Sequence, residues 1–186
     1  MRKILLLLTS VMMVLGMAAC GGGGGGEEQS TNTPEAAVAG YLDAFKAVDQ
    51  AKLNEYVTED DVMYSEDTES VTEAQVVFGN FTYEIKSVNT DTEGVAIVTT
   101  DITNIDMNIV MQEYMKKALE ASENSTDMTQ EEAMTLLKDS IAENKENTIT
   151  KTVNLEVKKA EDGQWKVKTT DELNTILTGG LSEETF

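Results

Sequence analysis

The sequence predicts a single α+β domain in which helices cover one side of an antiparallel sheet, with a two-helix insertion between two hairpins. Three observations carry this. Between residues 34 and 181 the apolar spacing switches from helical to alternating and back, twice. Each alternating stretch comes as a pair joined by a turn-forming segment. Cys20 is the single cysteine, so no disulfide within the chain can substitute for a hydrophobic core, and about 150 residues beyond the N-terminal stretch suffice to build one.

The first residues read as a targeting segment. Arg2 and Lys3 precede an apolar run over residues 4–19, which ends in Ala18-Ala19 just before Cys20. Its 16 residues fall short of the roughly 20 that span a bilayer as a helix. Met17-Ala18-Ala19-Cys20 resembles the lipobox of bacterial lipoproteins, departing from it at Met17, where that pattern most often has Leu. The resemblance implies removal of residues 1–19 and a diacylglyceryl group on Cys20, and two acyl chains on one residue suffice for stable anchoring. Six glycines, 21–26, and the polar run 27–33 then make residues 20–33 a flexible tether with a span of about 20 Å. These features predict a protein held by its lipid at the outer face of the cytoplasmic membrane.

The folded part, 34–181, opens with Thr33-Pro34-Glu35: a hydroxyl cap, a proline in the first turn and an acid at the positive end of the helix dipole. Val38, Tyr41, Leu42, Phe45 and Val48 follow at helical spacing. Asp49 caps a shorter helix carrying Leu53, Tyr56 and Val57, and a third helical stretch is predicted over 68–78. Phe81, Tyr83 and Ile85 alternate with Thr82, Glu84 and Lys86 as a half-buried strand, 89–94 forms the turn, and 95–105 is a second strand whose inward face the pattern leaves open.

Helical spacing returns in the insertion, about 106–146, with Met107, Val110, Met111, Tyr114, Met115 and Ala118. Thr129-Gln130-Glu131-Glu132 is a capping box that opens the next helix, with Met134, Leu137 and Ile141 inward. Ile149, Lys151, Val153, Leu155 and Val157 share one face of a strand, and Asp162-Gly163 turns the chain into Trp165 and Val167. A last helical turn over 171–177 stops at Gly179-Gly180.

Composition excludes much chemistry. Without Arg2 and Lys3, 12 basic side chains face 34 acidic ones, a net charge of −22. Such a surface repels phosphate backbones, so no nucleic-acid partner is expected. The chain has no histidine, which removes the usual general base and the commonest transition-metal ligand. With Cys20 lipidated, no thiol remains for nucleophilic or zinc chemistry. No cofactor and no metal are expected.

The order of elements resembles small lipoproteins of Gram-positive gut bacteria with a cystatin-like domain, related to the nuclear-transport-factor-2-like superfamily. The residues behind the resemblance are 34–57, the strand Phe81-Thr82-Tyr83-Glu84-Ile85, Thr103-Asn104-Ile105-Asp106-Met107, Gly163-Gln164-Trp165-Lys166-Val167 and Gly179-Gly180-Leu181. None is a catalytic motif. The resemblance implies a curved sheet whose concave face holds a small ligand, binds a protein or hosts catalysis, and it leaves function undetermined. On that face it places Tyr41, Phe45, Tyr83 and Trp165. It also implies a homodimer through the sheet.

Among candidate sites, Met107, Met111 and Met115 recur at i, i+4 and i+8 of one helix. They read as core packing or as an adaptable apolar partner groove, and no Cys or His supports a copper(I) site beside them. Residues 89–94 superficially resemble half a calcium loop, but the twelfth position is Thr100 where a bidentate Glu is needed, so a hairpin turn is the better reading. The acidic residues Glu59, Asp60, Asp61, Glu66, Asp67 and Glu69 read as a solvated loop or a weak calcium site. An isomerase-like Tyr/Asp site is the catalytic alternative, and nothing in the sequence puts an acid beside Tyr41, Tyr64 or Tyr83. The expected function is a lipid-anchored, non-enzymatic binding or interaction module for a small apolar ligand or an envelope protein. A small enzyme and an accessory solute-binding lipoprotein are the alternatives; the latter class usually has two lobes and twice this length.

Overall fold

The computed structural model describes residues 32–58, 74–124 and 128–181. Cys20, its flanking segments and the acidic stretch from Glu59 to Glu69 lie outside them. In chain order the elements are α1 (Pro34–Ala47), α2 (Gln50–Tyr56), β1 (Thr82–Thr92), β2 (Val95–Ile105), α3 (Met107–Asn124), α4 (Gln130–Glu143), β3 (Thr148–Lys159), β4 (Trp165–Val167) and α5 (Asp171–Leu177). A short helical stretch at 74–78 precedes β1, the described part of the helix expected over 68–78.

The four strands form one open antiparallel sheet in the order β1-β2-β3-β4. The domain is therefore α+β, with helices on a single four-stranded antiparallel sheet. Several local signals act as read. Thr33 Oγ1 accepts from Ala36 N, Asp49 caps α2 through Lys52 N, and the Thr129/Glu132 capping box is reciprocal. Val48 ends α1 in the left-handed region at φ 52°, a strained setting for a β-branched residue, with its side chain buried.

The first hairpin is longer than the sequence reading allowed. Residues 89–92 continue β1, and only Glu93-Gly94 turns the chain, with Gly94 at φ 73°. Polar residues lengthen the strand because β1 is an edge with one face in water, where Asn, Thr and Asp lose no solvation. The β1–β2 register shifts between Ile85 and Ser87, a bulge at Lys86.

The inward face of β2 is Ala96, Val98, Thr100, Ile102 and Asn104, all buried. The outward face is polar and laced by cross-strand pairs: Thr103 with Thr150 at 2.8 Å, Thr152 donating to Asp101 at 2.6 Å, and Thr99 donating to Asn154 at 2.8 Å. Against the inward face pack α1, α2 and α5, giving a core of Val38, Tyr41, Leu42, Phe45, Val98, Ile102, Leu155, Val157 and Leu173, among others. A second, smaller cluster of Ile105, Met107, Val110 and Ile141 sits under α3 and α4, with Val76 and Val77 against it.

Candidate functional site

The inward face of the sheet is covered by the protein's own side chains. Tyr41 and Phe45 project from the apolar stripe of α1 and are fully buried. They form a tilted ring pair with centroids 6.3 Å apart, and Phe45 makes edge contacts with Phe78 at 6.0 Å and Phe81 at 6.2 Å. Both residues, expected on a ligand-binding face, are packed within the core between α1 and the sheet. The helical periodicity of α1 showed that they point inward but not how closely α1 seats on the sheet. Trp165 is half-buried at the end of β4, packed against the core rim.

Tyr83 is half-buried on β1, and its hydroxyl donates to Asp43 Oδ1 at 2.9 Å, with Ala39 O one turn away on α1 at 3.4 Å. An acid does stand beside a tyrosine, supplied by the exposed side of α1. No sequence signal linked residues 40 positions apart. Burial first, and then the Asp43 carboxylate, push the phenol well above its ordinary value of 10.0. A hydroxyl already donating to a carboxylate is a poor proton donor to a substrate, so the pair clamps β1 to α1. Lys46, one turn of α1 from Asp43, reinforces the clamp by donating to Phe81 O at 2.9 Å.

Two residues along β2 from Ile102, the partner of Tyr83, lies a buried polar corner. Asn104 Nδ2 donates to Ile176 O at 3.0 Å and Leu177 O at 2.9 Å, while its Oδ1 accepts from Ile105 N at 2.8 Å. Two carbonyls of the last turn of α5 are thereby engaged by a strand residue, Ile176 O also accepting from Gly179 N at 3.1 Å. Met107 N donates to Gly179 O at 2.9 Å, and Asn108 Nδ2 reaches Gly180 O at 3.3 Å. This clasp joins the segments 103–107 and 179–181, and it fixes where the insertion leaves the sheet.

The methionine stripe does not stay together. Met107 is 2 % exposed in the small core, Met111 is half-buried and Met115 is 60 % exposed. At about 100° per residue, eight positions rotate by about 80° beyond whole turns, carrying Met115 off the buried face. Met115 shares an exposed face with Leu119, one turn on; Ile109, about 120° around the helix from Met115, and Met128, just ahead of α4, are the other exposed large apolar side chains among the described residues. Beside them, at the far end of the α3–α4 hairpin, is a shallow groove of about 400 Å³. Ala121, Met128 and Leu136 give it apolar walls, and Glu131 and Glu132 an acidic lip. Thr129 N and Oγ1 both donate to Glu132 Oε2 at 2.9 Å, and these bonds hold the carboxyl below its ordinary value. Sequence reading had Met115 but missed Ile109 and Leu119; their i+4 relation, Met115 to Leu119, was the available signal.

Among the described residues no group of three or more acidic, Cys or His side chains is placed to hold a metal ion, and no helix is long and apolar enough to cross a membrane. No family model matches the chain, and no curated protein matches it. Among solved structures, the chain is similar to the Bacillus subtilis protein YcdA, whose own assignment as a lipoprotein is provisional. The TM-score is 0.50 at 16 % identity, over 78 % of this chain and 54 % of that one. The chain thus spans about half the length of that relative. The likeness is one of fold.

Proposed function

We propose that this protein is a membrane-anchored extracytoplasmic lipoprotein whose domain works as a non-enzymatic protein-interaction module, with the α3–α4 hairpin as its contact surface. The observation that carries the reading is a contrast within one molecule. The inward face of the sheet is covered by Tyr41, Phe45 and their neighbours, whereas the exposed large apolar side chains among the described residues, Ile109, Met115, Leu119 and Met128, all lie on the hairpin. Exposed apolar groups collected on one element mark interaction surfaces more often than catalytic ones.

The N-terminal pattern ending at Cys20 supports anchoring, and the fold likeness to a provisionally assigned lipoprotein agrees with it. An antiparallel sheet wrapped on a helix also fits the cystatin-like and nuclear-transport-factor-2-like resemblance. A catalytic reading has the Tyr83–Asp43 pair to recommend it, but that hydroxyl is engaged and lies at the domain's edge.

The test uses the full chain with Cys20→Ser, exported in soluble form, titrated with fluorescent fatty acids and with an apolar dye. No saturable one-to-one binding to the interior is expected. Stoichiometric binding that Tyr41→Ala or Phe45→Ala abolishes, while the fold is retained, would replace the interaction module with a ligand carrier.

A further inference from the structure

The interaction reading leaves open what sits on the hairpin, and the charge around the apolar residues narrows it. Residues 107–143 carry eight acidic and three basic side chains. Two of the three lysines are already engaged: Lys116 with Glu113 at 3.6 Å and Lys117 with Glu143 at 2.6 Å. Glu131 and Glu132 border the groove, and Glu132 is held ionised by the cap of its own helix. The hairpin therefore exposes soft, adaptable apolar side chains, Met115 and Leu119 on one face and Met128 at the groove, with Glu131 and Glu132 beside the groove.

Three occupants are physically distinct. A second copy of the chain brings the same charge, −20 overall, and is repelled. A membrane surface rich in anionic headgroups is repelled for the same reason. A segment with an apolar face flanked by lysine or arginine matches both features at once, and α3, with 18 residues, offers a platform about 27 Å long for it.

Building on the interaction-module reading, we infer that the α3–α4 hairpin docks a cationic amphipathic helix of another protein. Its apolar side lies on Met115, Leu119 and the groove at Met128 and Leu136, and its basic residues face Glu131 and the neighbouring acids. Met115 and Leu119 are 60 % and 66 % exposed, so replacing them leaves the fold intact while removing the contact.

The probe is an 18-residue Leu/Lys peptide with leucines at helical spacing, compared with a Leu/Glu twin and a scrambled Leu/Lys peptide of equal charge. Binding to the full Cys20→Ser chain is followed by titration calorimetry, and the Met115 and Met128 methyl signals by NMR. The Leu/Lys helix should bind at least tenfold more tightly than either control, shift both methyl signals, and lose at least tenfold with Met115→Ser/Leu119→Ser. Equal binding of the scrambled peptide, or an unchanged affinity in the double variant, overturns the inference. So does preferential binding to vesicles of anionic phospholipid, or self-association that the double variant abolishes.

A second arm separates this from failure of the underlying reading. The lipid-anchored full chain carries a photocrosslinking residue at position 115 or 119 in intact cells. Crosslinks to a protein partner whose contact segment is not cationic overturn the inference and leave the interaction module standing. Absence of any protein crosslink from either position, with normal display of the chain, overturns both.

Discussion

Two glycines in left-handed conformation allow steric cost to be separated from backbone cost. Gly94, at φ 73°, turns the first hairpin, and a Cβ there would meet nothing within 4 Å. Gly179, at φ 67°, sits in the clasp, where a Cβ would run into Met107 Cγ and lie 2.5 Å from Ile105 O. An L-residue in this region costs roughly 1–2 kcal/mol, which is the whole expectation for Gly94→Ala. Gly179→Ala carries the same cost plus overpacking of about 1–3 kcal/mol, because Ile105 O belongs to a strand backbone and Met107 is buried. The sum is about 2–5 kcal/mol. Urea unfolding of the two variants in the Cys20→Ser chain, with fitted slopes compared, reads the difference directly. Gly179→Ala should also speed amide exchange at Met107, whose N–H bonds to Gly179 O. Variants that agree within about 0.5 kcal/mol would refute the claim that the clasp is close-packed.

Thr100 is fully buried between Ile85 and Val153 of the flanking strands, and its hydroxyl has no hydrogen-bond partner among the described residues. Thr100→Val should therefore raise stability by about 1 kcal/mol, or about 2–4 °C in Tm, measured by calorimetry; a lowered Tm would show that the hydroxyl is satisfied. Tyr83→Phe should cost about 0.5–1 kcal/mol, the lower range for a hydrogen bond because Asp43 is exposed. Since the Tyr83 phenol is raised in the folded state, its contribution is intact below pH 10 and lost as pH climbs through the folded value. Alkaline titration at 295 nm should show a late-titrating phenol that this variant removes. Glu132 is depressed below 4.5, so its support of α4 is present above that pH and fades as pH falls through the folded value. Circular dichroism from pH 6 to 3 should show a helicity loss in the parent chain that is smaller in Glu132→Gln, and superimposable profiles would remove the capping box from the account.

Much of the backbone was legible because its signals are local. A capping box needs four residues, and Thr129 to Glu132 supply both bonds regardless of what the rest of the domain does. Asp49, Thr33 and the Gly179-Gly180 stop act within one turn of helix in the same way. What escaped was how elements meet. The period of α1 cannot say that its stripe is buried against the sheet, since the same stripe suits an open face lined by Tyr41 and Phe45. The i, i+4, i+8 spacing of α3 put three methionines in line, but its drift of about 80° over eight residues carries Met115 off the buried face. Asn104 looked like an ordinary polar strand residue, and its partners at Ile176 and Leu177 lie 72 and 73 positions on. The hairpin site was legible in part: Met115 was named, and Leu119 lay one turn further along the same face.

That separation also sets a timetable. The two insertion helices lie next to each other in sequence and can pair as soon as both have been made. The carbonyls that Asn104 must bind, and the glycine that receives Met107, come some seventy residues later. At roughly 5–20 residues per second, the 33 residues from Glu143 to Ile176 leave an interval of about 2–7 s in which both arm helices exist but their base is unpinned. During that interval their apolar side chains are displayed without a fixed direction.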